Sequence, residues 1–138
     1  MSLGITGSRN GLTVEQYNQF KMLTDKMILK EVHHGGCVGV DSEMHQYFTD
    51  VRKIKTILHP PLCQDLQGVF MADEVRPPLE YLTRNKNIVN YSDVVIGFPD
   101  HEKEIVRSGT WATIRYSKKS NKRTYIVYPS GSVESFNC

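Results

Sequence analysis

Five short β-rich apolar runs alternate with segments whose apolar residues recur at helical spacing, and several of the runs stop at glycine or proline before the next helix begins. Parallel strands need a crossover long enough to hold a helix, so this alternation predicts an α/β fold with helices on a mostly parallel sheet. The predicted strands are 3–6, 31–34, 53–58, 93–98 and 123–128. The fourth, D-V-V-I-G-F, is a continuous apolar run of the kind buried on both faces. Between them, Thr13 and Gln16 form a capping box ahead of Val14, Tyr17, Phe20, Leu23 and Met27, one buried stripe. Further helices are predicted over 40–51, 79–91 (behind Pro77-Pro78) and 108–119. The stretch 62–78 has no period and reads as a long loop hanging over the site. The residues after 131 read as frayed.

At 138 residues the chain has the length of one domain, spanning 1–138. Hydrophobic residues make up 39% and charged residues 23%, which excludes a disordered chain, and no apolar run approaches a membrane helix. No membrane partner is therefore expected. The formal net charge of +2 gives no strong pull toward polyanions, which disfavours a nucleic-acid partner. Lys118, Lys119, Lys122 and Arg123 form one basic cluster, read as a solvated helix end. The three cysteines are odd in number with no C-x-x-C spacing, which points away from a disulfide framework or zinc site and toward a reducing, cytoplasmic setting.

Three junctions carry the chemistry: Gly7-Ser8-Arg9, Gly35-Gly36-Cys37-Val38-Gly39 and Ser108-Gly109-Thr110. In a parallel sheet all three fall on one edge. Helix starts offer free N–H groups and partial positive charge, and glycine admits a phosphate close to the backbone, so the implied ligand is anionic. Neither G-x-G-x-x-G nor the P-loop pattern is present, and no cofactor is implied. His33 and His34 alternate across a strand and face opposite ways, so no metal site is predicted from them and His45. Cys37 is read as a packing residue, Trp111 as buried against the sheet, and Asp41 as a ligand contact or a helix cap. Arg84 is either a phosphate clamp or a surface partner of Glu80.

Gly7-Ser8-Arg9, H-G-G-C-V-G-V-D-S-E-M-H at 34–45, R-N-K-N-I-V at 84–89 and S-G-T-W at 108–111, with a closing P-S-G, together resemble the SLOG superfamily. That group of Rossmann-like domains includes the DNA-processing protein A family and the Lonely Guy phosphoribohydrolases. The resemblance covers about residues 3 to 131. It implies a three-layer Rossmann-like domain with a five-stranded sheet and a nucleotide-type ligand. The phosphate would be held by Ser108, Gly109 and Thr110 with Arg84 and Asn85 nearby. Gly7, Ser8, Arg9, Gly35, Gly36, Gly39 and Asp41 would complete the site, with His45 beside it. It also implies self-association.

In the Lonely Guy enzymes a catalytic glutamate stands where this chain has Thr113. Cleaving an N-glycosidic bond passes through a cationic sugar that wants a carboxylate close by. The remaining candidates are Asp41 and Glu104, then Glu43 and Asp100. The leading expectation is thus a module that senses or sequesters a nucleotide-like molecule. The alternatives are a nucleoside monophosphate N-glycosidic hydrolase and a single-stranded DNA binder.

Overall fold

The computed structural model describes residues 1–62 and 71–138. In chain order its elements are β1 (Ser2–Gly7), α1 (Val14–Asp25), β2 (Glu31–His34), α2 (Val40–Tyr47), a π-helical turn (Phe48–Arg52), β3 (Lys55–Leu58) and β4 (Glu74–Val75). Then come α3 (Tyr81–Asn90), β5 (Val94–Phe98), α4 (Gly109–Lys119), β6 (Arg123–Val127) and β7 (Val133–Phe136). The strands form one sheet in the order β4-β3-β2-β1-β5-β6-β7, parallel throughout except for β7. Helices cover both faces, so the fold is Rossmann-like α/β.

Both faces of the central strands are buried, as the continuous apolar run at β5 requires. Leu3 and Ile5 of β1 and Val94, Ile96 and Phe98 of β5 pack with Phe20 of α1 and Val40, Met44 and Tyr47 of α2 in one core. The alternate residues face α3 and α4: a side chain at Gly4 would meet Ser92 and Ile88, and one at Gly97 would meet Ile114. Phe20, Phe48 and Phe98 are fully buried, and each contributes about 1.5–3 kcal/mol by leaving water. Phe20 makes edge-on contacts with Tyr47, Phe48 and Phe98, which ties α1 to α2 and to the sheet.

The capping box forms as its spacing predicts, with Thr13 accepting from the Gln16 N–H and Gln16 accepting from the Thr13 N–H. The same two residues also act at long range. The Gln16 amide donates to the carbonyls of Pro99 and Val127, and the Thr13 hydroxyl donates to that of Pro129, pinning the start of α1 over the ends of β5 and β6.

Four expectations change. The sheet has seven strands among the described residues rather than five. The tail is not frayed: Pro129-Ser130-Gly131 is a hairpin turn, with Gly131 at φ 93° and Tyr128 N–H donating to Ser132, and it returns the chain as β7 with Phe136 against the Trp111 cluster. The 62–78 stretch lies partly outside the described residues, and its described part contains β4, two residues too short to show a period. The helix predicted over 40–51 is α-helical only to Tyr47, and the π turn widens it before Lys53, at φ 54°, ends it. Lys118 and Lys119 do occupy the last turn of α4, where they complement its dipole. Among the described residues no helix is long and apolar enough to cross a membrane.

Candidate functional site

Strand order reverses about β1: β2 and β3 lie to one side, β5 and β6 to the other. Because all five run parallel, their C-terminal turns share one edge, with a switch point between β1 and β5. The turns are also bonded to each other. Ser8 N–H donates to the Phe98 carbonyl at 3.1 Å, Val40 N–H donates to that of Ser8 at 3.0 Å, and the Asn10 amide donates to Asp100 at 2.7 Å. Gly7 fits because a side chain there would strike Val40. Gly39 adopts φ 91°, which only glycine takes without strain, and a side chain there would overlap the Arg9 backbone. The first and second predicted junctions therefore meet.

The Gly35-Gly36-Cys37 turn is organised from within. Asp41 Oδ2 accepts from Gly35 N–H at 3.2 Å and Cys37 N–H at 3.3 Å, while Gly36 N–H donates to His34 Nδ1 at 3.0 Å. These amides hold the turn and do not face out to a ligand. Asp41 is buried, its Oδ1 has no hydrogen-bond partner, and burial pushes its carboxyl up to about 6 against the opposing pull of Arg84. Burial, then Asp41, also raises the Cys37 thiol, so Cys37 is not an activated nucleophile.

Arg84 is 2% exposed and pairs with carbonyls rather than with Glu80. Its Nη1 donates to Gly35 at 2.8 Å and to His59 at 3.1 Å, its Nε donates to Asn85 Oδ1 at 2.8 Å, and its Nη2 lies 3.8 Å from Cys37 Sγ. A guanidinium with most of its fork committed indoors is not an open phosphate clamp. It instead joins α3 to the ends of β2 and β3. The Tyr81 ring lies over it, 5.0 Å from centroid to guanidinium carbon.

Tyr81 brings the third junction in. Its hydroxyl stands where a side chain at Gly109 would begin, so the first turn of α4 sits beside α3. Ser108 caps α4 by accepting from Trp111 N–H at 3.3 Å, and the N–H groups of Gly109 and Thr110 open the helix without intrahelical acceptors. Thr113 is buried and donates to the Gly109 carbonyl at 2.9 Å. Trp111 is buried with Ile114 and Ile126, and its indole N–H has no partner.

Four carboxylates of this edge are tied to donors. Glu43 accepts from Leu12 N–H, Asp100 from Asn10 and His101, Glu102 from Ser130, and Glu104 from Arg115 at 2.6 Å. The exposed side chains of Arg9, Lys103 and Arg107 make no hydrogen bond or ion pair among the described residues. The uncommitted charge on the turns after β1 and β5 is therefore positive, although the exposed carboxylates of Glu15, in the first turn of α1, and Glu80, at the start of α3, also make no hydrogen bond or ion pair among the described residues.

Two imidazole pairs flank the sheet, on opposite faces as the alternation of His33 and His34 requires. His33 Nε2 donates to Glu31 at 2.6 Å, so its Nδ1 accepts from His59 Nε2 at 2.8 Å. On the other face His34 Nε2 donates to His45 Nδ1 at 3.0 Å, and His45 Nε2 donates to the Met71 carbonyl at 2.8 Å. Burial drives His34 and His59 down to about 3, which keeps both neutral. Among the described residues no group of three His, Cys, Asp or Glu side chains could hold a metal ion. Sequence reasoning missed His59, Tyr81 and Asn10. Only the position of His59 at the end of a strand, in H-P-P, could have flagged one of them.

Two surface hollows, of about 680 and 380 Å³, lie at the other edge of the sheet. One is lined by Asp50, Lys53, Lys55 and Asp73, the other by Met22, Met27, Arg123 and Tyr125, where strands begin and helices end. Neither borders the three junctions, and size does not outweigh the absence there of any helix start or strand C-terminus.

No family model matches the chain, and no curated protein matches it. Among solved structures it is similar to the X-ray structure of TM1055, a Northeast Structural Genomics Consortium target. The TM-score is 0.59 at 20% identity, over 89% of this chain and 71% of that one. Likeness at this identity shows the fold alone.

Proposed function

We propose that the chain binds a nucleotide or nucleotide-derived small molecule at the C-terminal edge of its parallel sheet, and that it is a member of the SLOG superfamily. The observation that carries this reading is the meeting of the β1, β2 and α4 junctions on one edge where Arg9, Lys103 and Arg107 are uncommitted while Glu43, Asp100, Glu102 and Glu104 are paired. The anion contacts fall to Arg9, Ser8 and the N–H groups of Gly109 and Thr110, with the Gly35 to Cys37 turn and Arg84 as the frame behind them. Binding without turnover is favoured because Glu104 is held by Arg115, Asp41 is spent on a turn, and Thr113 supplies no carboxylate. Hydrolysis and single-stranded DNA binding have no comparable support. The free thiols of Cys37 and Cys138 suit a cytoplasmic setting, and self-association is proposed on the family resemblance.

Calorimetric titration with mononucleotides, cyclic nucleotides and ADP-ribose tests the proposal. Heat from at least one, weakened by added phosphate, is the expected result. Silence across the panel from folded protein refutes it.

A further inference from the structure

Tyr81 is 48% exposed, yet it is held from behind. One ring face lies over the Arg84 guanidinium, and that guanidinium is fixed by the carbonyls of Gly35 and His59 and by Asn85. The ring edge is fixed too, because its hydroxyl lies against Gly109, and only the missing side chain there lets it approach. Among the described residues no other ring or cation packs on Tyr81. A surface tyrosine would ordinarily be left to rotate in water. This one is supported by a buried cation and set beside the first turn of α4, where the N–H groups of Gly109 and Thr110 open the helix. A rigid aromatic plate next to an anion-attracting helix start matches a ligand with an aromatic base at one end and a phosphate at the other.

We infer that Tyr81 is the platform on which the base of the ligand stacks, and that Arg84 is the positioning residue that holds it. The inference rests on the proposed nucleotide-type ligand and names its recognised part. Every base has a π-face, so recognition by stacking discriminates a nucleotide from a bare sugar phosphate more than one base from another. It also gives Arg84 a reason to be buried. Its charge acts through the ring instead of on the phosphate.

The experiment is calorimetric titration of the full chain with adenosine 5′-monophosphate and with ribose 5-phosphate, which lacks the base. Wild type should bind the nucleotide roughly five- to a hundredfold tighter. Tyr81→Ala should bring the two affinities together, Tyr81→Phe should keep most of the preference, and ribose 5-phosphate should bind all three alike. Thermal melting confirms that the variants fold. For Arg84 the readout is the ratio of the two affinities, which loss of stability alone does not move. Arg84→Met should lower it and Arg84→Lys restore part of it. Should Arg84→Met fail to fold, the partial fall in Arg84→Lys is the result required.

If wild type binds both compounds equally, or Tyr81→Ala keeps the preference, the stacking inference is overturned and the anion site stands. If Tyr81→Phe loses as much as Tyr81→Ala, the hydroxyl and not the ring makes the contact, and the inference again fails. If wild type binds neither compound nor any other nucleotide, both proposals fall together.

Discussion

Nη1 of Arg84 donates to the carbonyl of Gly35 at 2.8 Å, across 49 residues of sequence, and a side chain at position 35 would occupy the space the guanidinium fills. The glycine and the arginine thus require each other. The site turn, α3 and the end of β3 form one bonded unit, since the same nitrogen also reaches His59.

That dependence predicts the cost of removing either partner. Arg84→Ala strands the Gly35 and His59 carbonyls and is expected to cost about 3 kcal/mol, as hydrogen bonds to charged groups and buried unpaired acceptors do. Gly35→Ala leaves the bonds in principle but forces the guanidinium aside, at about 1–3 kcal/mol. Urea unfolding measures both, and a loss under 0.5 kcal/mol (about the range of ordinary surface substitutions) for Arg84→Ala contradicts the assigned role.

Acid should destabilise the fold. His34 and His59 titrate at about 3 in the folded chain against 6.5 in an ordinary histidine, and burial is the first cause for each. Groups depressed by folding give their full stabilisation above the unfolded value and lose it as pH falls from about 6.5 toward 3, by up to roughly 1.4 kcal/mol per pH unit each. Asp41 acts oppositely: raised to about 6 from 3.8, it returns some stability between those values. Burial also lowers His33 and His45, so the histidines outnumber it. The urea midpoint should therefore be lower at pH 5 than at pH 7.5, and an equal or higher midpoint at pH 5 would count against neutral buried imidazoles.

Thr13→Ala removes both the cap on α1 and the hydroxyl bond to Pro129. A lost N-cap costs about 1 kcal/mol, and the second bond adds about another. Thermal melting should register a drop larger than a cap alone gives.

Trp111→Phe tests a buried donor that has no partner. Replacing the indole N–H by carbon removes a desolvated polar group, which offsets the smaller ring, so stability should change by less than about 1 kcal/mol. A loss of several kcal/mol would mean that the N–H is bonded after all.

Much of the fold could be read from short-range pattern. The capping box of α1, β2, and the start of α4 stand where spacing puts them, because each depends on residues within one turn or one strand. β4 and β7 could not be read that way. Neither carries enough alternation by itself, and each exists because a neighbouring strand offers a ladder. At the site, Gly7 and Gly39 announce themselves as turn residues and Ser108 as the opening of a helix. Tyr81 gave no signal, since its place depends on Gly109 and Arg84 together.

The alternation of the five main strands with their helices, the shared edge on which those parallel strands end, and the glycines at that edge were fixed by the linear chain, since periodicity and turn chemistry are local properties. Whether Arg84 faced water or the interior, whether Asp41 met a ligand or a turn, and which tyrosine stood over the first turn of α4 were decided only by packing. A charged side chain takes whichever partners the fold brings within reach, and those partners, at Gly35 and His59, lie 49 and 25 residues away.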